Sequence, residues 1–399
     1  MASPSPAPLA GIRVVDLTRV YSGPYATFLM ALAGAEVLKI EPPGGESLRR
    51  RDGRSGSAVP FAMLNANKRA LTLDLKSEAG KSLLASLLRT ADVLVENFRP
   101  GVMDRLGFDR CALQRINKRL IWGSISGFGH AGPYRDYPAM DLTIQAFTGI
   151  IASTGWEDEP PVKAGAAVAD IAAGTHLYAG VVTSLLHRER TGEVIHPQIA
   201  MTDSIYPTLC SNLGLALGGD RYIERTGNRH AGLSLCPYNV YPAADGYVAI
   251  ICNGDAHWRA LVACLGLEDL AANRDFDVVA GRVARMDRID ERIGQTTRHL
   301  GKETLFTRLN TAGVSCGPVR TLPEVLRDPQ MLYSGMLQEI DHPQYGRLIL
   351  SHSPLTFADT PRFPYRASAA VGADNEAIYC GELGLSVDDL VAFGERGIV

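Results

Sequence analysis

The sequence lacks most of the features that settle a function quickly. Of its 399 residues, 40 are Lys or Arg and 43 are Asp or Glu, so neither sign dominates and the net charge is −3. That balance supplies no basic face, and no nucleic-acid partner is expected. Seven cysteines are scattered, an odd count with no Cys-x-x-Cys pair. They read as reduced thiols of a cytoplasmic protein rather than a disulfide frame or a zinc site. None of the nine histidines stands at metal-ligand spacing from another ligand, so no metal is expected. Long hydrophobic runs are missing as well. The most apolar window, 166–186, holds Asp170 and His176, groups that a membrane span of about 20 residues tolerates poorly. The first eight residues are rich in Ala, Ser and Pro, with no basic start and no apolar run, and read as a tail rather than a signal. No Walker loop, H-E-x-x-H, G-x-S-x-G or internal repeat is present.

What is there resembles an ordinary globular chain, 46% hydrophobic and 21% charged. Length divided by about 150 implies two or three domains. Strand signals at 12–17, 36–40, 70–75, 93–96 and 120–126 alternate with helical ones. Pro24 opens a helix over 24–33, and Ser77 stands as the cap of an amphipathic helix over 77–89. Such alternation implies parallel strands with right-handed crossovers, a doubly wound α/β layer. A long helix is expected from about 171 to 190 and a strand at 194–200. A Gly-rich stretch, 214–232, then crosses into a second region. There 246–252 is strand-like and helices run to 310, with β-rich text at 314–319 and 336–350 and a helical end, 375–399. The expected division is 1–220 as a large α/β part, 221–330 as a small domain and 331–399 returning to the large part.

Three features could carry chemistry. Gly127, Gly129 and Gly132 match G-x-G-x-x-G after a strand, but Pro133 and Tyr134 follow where a dinucleotide site needs a helix, so that reading is rejected. Arg49, Arg50, Arg51 and Arg54 form a solvated loop or a phosphate clamp. The third is Asp170, a lone carboxylate in the run PPVKAGAAVADIAAG at 160–174. It caps the helix that begins there, as aspartates commonly do. Alternatively, the small residues around it admit a ligand and the helix terminus keeps it ionised and nucleophilic.

The whole chain resembles a family III CoA-transferase. The resemblance rests on LAGIRVVDLT at 9–18, GPY at 23–25, LAGAEVLKIE at 32–41, NKR at 67–69, DVLVENFRPG at 92–101, GFGHAGPY at 127–134 and VAD at 168–170. It implies Asp170 as the nucleophile. Coenzyme A contacts would come from Val20, Tyr21 and Ser22 after the first strand, from Leu73 to Lys76, and from Asn97, Phe98, Arg105 and Met201. Asp141, Tyr21 and His230 become candidates on the acceptor side, with Asp141 equally readable as a polar helix start. Arg229 beside His230 would suit a second carboxylate, such as that of succinate. Implied too are a Rossmann-like large domain from both chain ends, a smaller α+β domain from the middle, and an interlocked homodimer.

The resemblance also implies coenzyme A as substrate with no tightly bound cofactor, and CoA transfer from an acyl-CoA, succinyl-CoA for example, to a free carboxylic acid. Related racemases carry a histidine where this chain has Met140, which cannot move a proton and weakens that alternative. The segment HAGLSLCPY at 230–238 is poor in glycine where formyl-CoA transferases have a glycine loop, which argues against oxalate. A non-catalytic CoA-binding protein is the remaining alternative.

Overall fold

A computed structural model describes residues 7–50, 59–218, 223–358 and 360–399. Two compact units emerge: Met1–Ile144 with Ala166–Tyr206 and Leu326–Val399, and Gln145–Gly165 with Pro207–Val325. The sequence carries no visible signal for the short excursion Gln145–Gly165. Among the described residues no helix is long and apolar enough to cross a membrane. The seven cysteines are free thiols.

The first unit is built on six parallel strands in the order β3-β2-β1-β4-β5-β6. They are β1 (Arg13–Asp16), β2 (Glu36–Glu41), β3 (Arg69–Thr72), β4 (Val93–Glu96), β5 (Ile121–Ser126) and β6 (Gln198–Ala200). Val14, Val15, Leu38, Leu71, Leu94 and Val95 are fully buried. Neighbours such as Val14 and Val15, or Leu94 and Val95, point to opposite faces and are both buried, as in a sheet covered on both sides. β6 is shorter than the expected 194–200 because Pro197 has no N–H for a ladder; its carbonyl still accepts from the Ser124 N–H. Ser77 caps the helix Glu78–Leu88 as its position suggests, its hydroxyl accepting from the Gly80 N–H at 3.0 Å. The strand pair β10 (Leu337–His342) and β11 (Gly346–Ser351) is an antiparallel hairpin, and the chain ends in the helix Val387–Glu395. Asp374 and Asn375 accept from the N–H groups of Ala70 and Thr72, and Ile398 accepts from Asp74, so the C-terminal segment is bound to the β3 edge.

A buried polar knot fixes the turn after β1. The Asp16 carboxylate takes the N–H and hydroxyl of Thr18, the hydroxyl of Thr27 and the Lys68 ammonium, the last at 3.0 Å. Burial alone would push the Asp16 carboxyl up, but the Lys68 and Lys39 ammoniums outweigh it and hold it at about 2. The NKR motif is therefore structural here. Lys68 is buried in this knot, and Asn67 bonds to the carbonyl of Pro364 and the N–H of Arg366.

The second unit is described by itself. Its sheet is antiparallel, β7 (Tyr238–Ala243), β8 (Gly246–Ile251) and β9 (Ser315–Pro318), over a core that includes Trp258, Leu261, Ile289 and Leu305. Within it Arg282 is fully buried, bonded to the carbonyls of Cys236 and Phe276 and paired with Asp255.

Candidate active site

The strand order reverses between β1 and β4, and the loops leaving their carboxyl ends must diverge there, opening a crevice. Two cavities occupy that edge of the first unit. The outer, of about 550 Å³, is lined by Leu17, Ile40, Pro42, Leu73 to Lys76 and Val102. The inner, of about 150 Å³, is lined by Val20, Ser22, Asn97, Ile125, Gly127, Met140, Asp170 and Met201. Arg19, Phe98 and Arg99 line both, so the two adjoin. The Arg19 guanidinium lies over the Phe98 ring, 5.4 Å from its centroid.

Asp170 is the carboxylate that lines the inner cavity. It is the third residue of the long helix Val168–Thr191, and only 7% exposed. Its expected role as the helix cap is not what the structure shows. Ala167 precedes the helix and makes no side-chain cap bond; the first-turn amides are taken by Asp141. Asp141 Oδ1 accepts from the N–H of Ala169 at 2.8 Å and of Asp170 at 3.2 Å. Relieved of capping, the Asp170 carboxylate is left to the cavity. Burial, and next the Asp141 charge, push its carboxyl up to about 6, while the hydroxyl and N–H of Ser22 pull the other way. A group in that range is largely ionised near neutral pH.

Ser22 opens the helix Ser22–Leu32, so its N–H is one of the unpaired amides of a helix N-terminus. Gly174 lets that terminus come so close: a Cβ there would lie 2.4 Å from the Ser22 carbonyl oxygen. Gly127 plays the same part at the floor, where a Cβ would meet that of Ala139 at 2.1 Å. Val20, a β-branched residue, is held at φ 66°, a left-handed conformation costly for its side chain. Asn97 holds it there, accepting from the Arg19 N–H and donating to the Arg19 carbonyl, both at 2.8 Å.

Residues 9–375 match the profile described as CoA-transferase family III. The chain belongs to CoA-transferase family III. It is 35% identical to a formyl-CoA:oxalate CoA-transferase of Streptomyces coelicolor, over 98% of this chain and 99% of the relative. It is 34% identical to a succinate–glutarate CoA-transferase of Agrobacterium fabrum, over 94% and 96%. A CaiB/BaiF family protein from Brucella suis has the same mixed α/β fold, with a TM-score of 0.83, 32% identity, and coverage of 94% of this chain and 100% of that one.

The structure of this transferase brings together Val20, Ser22, Asn97, Phe98, Asp170 and Met201 at the inner cavity, and Leu73, Lys76 and Phe98 at the outer one. Three expected residues stand elsewhere. The Tyr21 ring packs against Leu48 and Phe61. Arg105 is exposed and lines neither cavity; the cations that do are Arg19, Lys76, Arg99 and Arg135. His230 belongs to the second unit, where its Nδ1 accepts from the Gly232 N–H at 3.1 Å, leaving any ring proton on Nε2. Arg229 is not free for a carboxylate, because Asp287 and Asp290 hold its guanidinium at 2.7 and 2.8 Å.

The basic loop is also spoken for in part. Arg49 pairs with Glu41 at 2.6 Å and stacks on Phe61, whereas Arg51 and Arg54 lie outside the described residues. Residue reading missed Arg19, which falls one position past the motif at 9–18, and Arg99, which sits inside the motif at 92–101 without being singled out. It also missed Glu96, a buried carboxylate that accepts from the Phe98 N–H and is pushed by burial up to about 7. Among the described residues no three His, Cys, Asp or Glu side chains are grouped to hold a metal ion.

Proposed function

We propose that this CoA-transferase moves CoA from an acyl-CoA to a free dicarboxylic acid, with Asp170 as the covalent relay. The observation that carries this reading is the Asp170 carboxylate, opening on an inner cavity that adjoins a longer groove lined by Leu73 to Lys76, Arg19 and Arg99. The groove suits a nucleotide: apolar walls for the base and guanidiniums for the phosphates. Phe98, common to both cavities, then borders the pantetheine arm.

Asp170 adds to the donor carbonyl, the C–S bond breaks, and the pair leaves as CoA thiolate, giving a mixed anhydride. The thiolate adds to the aspartyl carbonyl and expels the donor acid, giving an aspartyl thioester. The acceptor carboxylate reverses the order: it displaces the thiolate to form a second anhydride. The thiolate then attacks the acceptor carbonyl and frees Asp170. Thioester energy is kept throughout, provided water is excluded, and a carboxylate only 7% exposed favours that.

The curated relatives act, by their names, on oxalate or on succinate and glutarate, all dicarboxylates. Succinyl-CoA is the first donor to try. The interlocked homodimer implied by the family is part of the same proposal. The deciding experiment is mass spectrometry of protein incubated with succinyl-CoA. A CoA or succinyl adduct on the peptide bearing Asp170, absent in Asp170→Asn, is expected; normal turnover by that variant would end the reading.

A further inference from the structure

Two residues that line the inner cavity with Asp170 are carried there by paired strands, Ser22 as the first residue of a helix and Asn97 as the residue next to a strand end. Ser22 follows β1 and Asn97 follows β4, and the β1–β4 register sets Asp16 against Val95. The Asn97 side-chain amide donates to the Arg19 carbonyl and, at 3.3 Å, to the Ser22 hydroxyl oxygen. A hydroxyl that accepts from an amide is turned to donate its own proton elsewhere. Ser22 is 4% exposed and lines the inner cavity together with Asp170, whose carboxylate its hydroxyl and N–H both favour in the ionised form. The close approach allowed by Gly174 fixes the two helices that carry Ser22 and Asp170 in this relation.

Resting on the reading of Asp170 as nucleophile, we infer that Ser22 supplies a paired donor, O–H and N–H, for the aspartyl carbonyl oxygen during transfer. Asn97 acts through it as a positioning residue. When CoA thiolate adds to the aspartyl carbonyl of the anhydride, the C=O pair moves onto that oxygen and a negative charge develops there. The Ser22 hydroxyl and amide face that charge. As the C–O bond to the departing acid breaks, the pair returns to form the thioester carbonyl. The same donors serve again when the acceptor carboxylate attacks. Contacts of this kind are commonly long in a resting site and tighten in the reacting complex. In the resting enzyme the same two donors hold the carboxylate in one orientation for its first attack. Asn97 thus has two tasks: it keeps Val20 in its left-handed turn, and it aims the hydroxyl.

Ser22→Ala removes one oxygen and leaves the N–H in place. Its kcat should fall about 10- to 100-fold, the range for loss of a single oxyanion donor, with the acyl-CoA KM within about threefold. The acid limb of kcat/KM against pH should move upward, since a donor that stabilises the ionised form is gone. A structural defect alone would not move that limb. Asn97→Ala should shift it in the same direction, and should add no further shift in the Ser22→Ala background. Wild-type kcat and an unmoved limb in Ser22→Ala would overturn the inference while leaving Asp170 as nucleophile. Failure of the underlying reading looks different: Asp170→Asn would itself turn over normally.

Discussion

Asp141 caps the helix that carries Asp170, although 29 residues separate the two carboxylates in the chain. One oxygen of Asp141 collects the amides of Ala169 and Asp170, and its charge helps raise the carboxyl it frees. Asp141→Ala should cost about 1–2 kcal/mol, the worth of a helix cap, measurable by urea denaturation. Asp141→Asn keeps an acceptor oxygen but removes the charge. Its stability should hold while the acid limb of kcat/KM moves to lower pH; an unmoved limb would refute the electrostatic coupling.

The second expectation concerns Asp170 itself. Its carboxyl lies at about 6 in the folded protein, above its ordinary 3.8. The folded state therefore holds the proton more tightly, and stability falls as pH rises from about 4 through 6. Asp170→Asn carries no such penalty. It should be inactive yet more stable at pH 8, by at most about 3 kcal/mol, with the advantage gone below about pH 4. Urea midpoints at the two pH values decide this.

Gly174 is expected to be intolerant of alanine. The added methyl would lie 2.4 Å from a backbone oxygen of Ser22, which cannot swing aside as a side chain would. The two helices must part, costing about 1–3 kcal/mol and pulling Ser22 from Asp170. Turnover should drop at least tenfold as thermal stability falls, and a fully active Gly174→Ala enzyme would contradict the packing argument.

The Asp16–Lys68 pair lies far inside the protein and is expected to matter for stability before activity. Asp16→Ala strands a buried ammonium and should cost about 3–5 kcal/mol. In the native protein the Asp16 carboxyl lies at about 2, below its ordinary 3.8. Its contribution is complete above about pH 4 and is lost as pH falls through 2. The wild-type acid-unfolding curve should therefore be steeper in that window than that of Asp16→Asn.

Arg19 and Arg99 are the cations common to both cavities. Arg99→Ala should raise the acyl-CoA KM several-fold with kcat little changed, since phosphate binding is made equally in the ground and transition states. Added salt should shrink the difference, because both guanidiniums are exposed. A loss confined to kcat would place Arg99 in the chemistry instead.

Much of the α/β layer is legible in the chain because parallel strands buried on both faces leave short runs rich in Val, Ile and Leu rather than a strict apolar–polar alternation, as at 12–17 and 93–96. Ser77 is equally legible, since a cap acts within three residues of itself. The excursion Gln145–Gly165 leaves no comparable trace: joining the second unit requires contacts with residues past 207 that no local pattern encodes. Asp170 could be picked out by its small neighbours, but not its freedom from capping, which depends on Asp141. Tyr21 and Arg105 fit the motif yet line neither cavity, because a motif fixes where the backbone goes and not which way a side chain turns. Arg229 reads as a free cation only until Asp287 and Asp290, 58 and 61 residues away, are seen to neutralise it.

Local text alone determined the alternation of strands and helices, the apolar layer they bury and the small-residue run that singles out one aspartate, since each depends on neighbours within a turn or a pleat. Tertiary contact decided the rest: which carboxylate caps and which reacts, which arginines face the groove, and how Ser22 meets Asp170. Those outcomes hang on distances between segments remote in sequence, and only the packed sheet and its crossing helices set such distances.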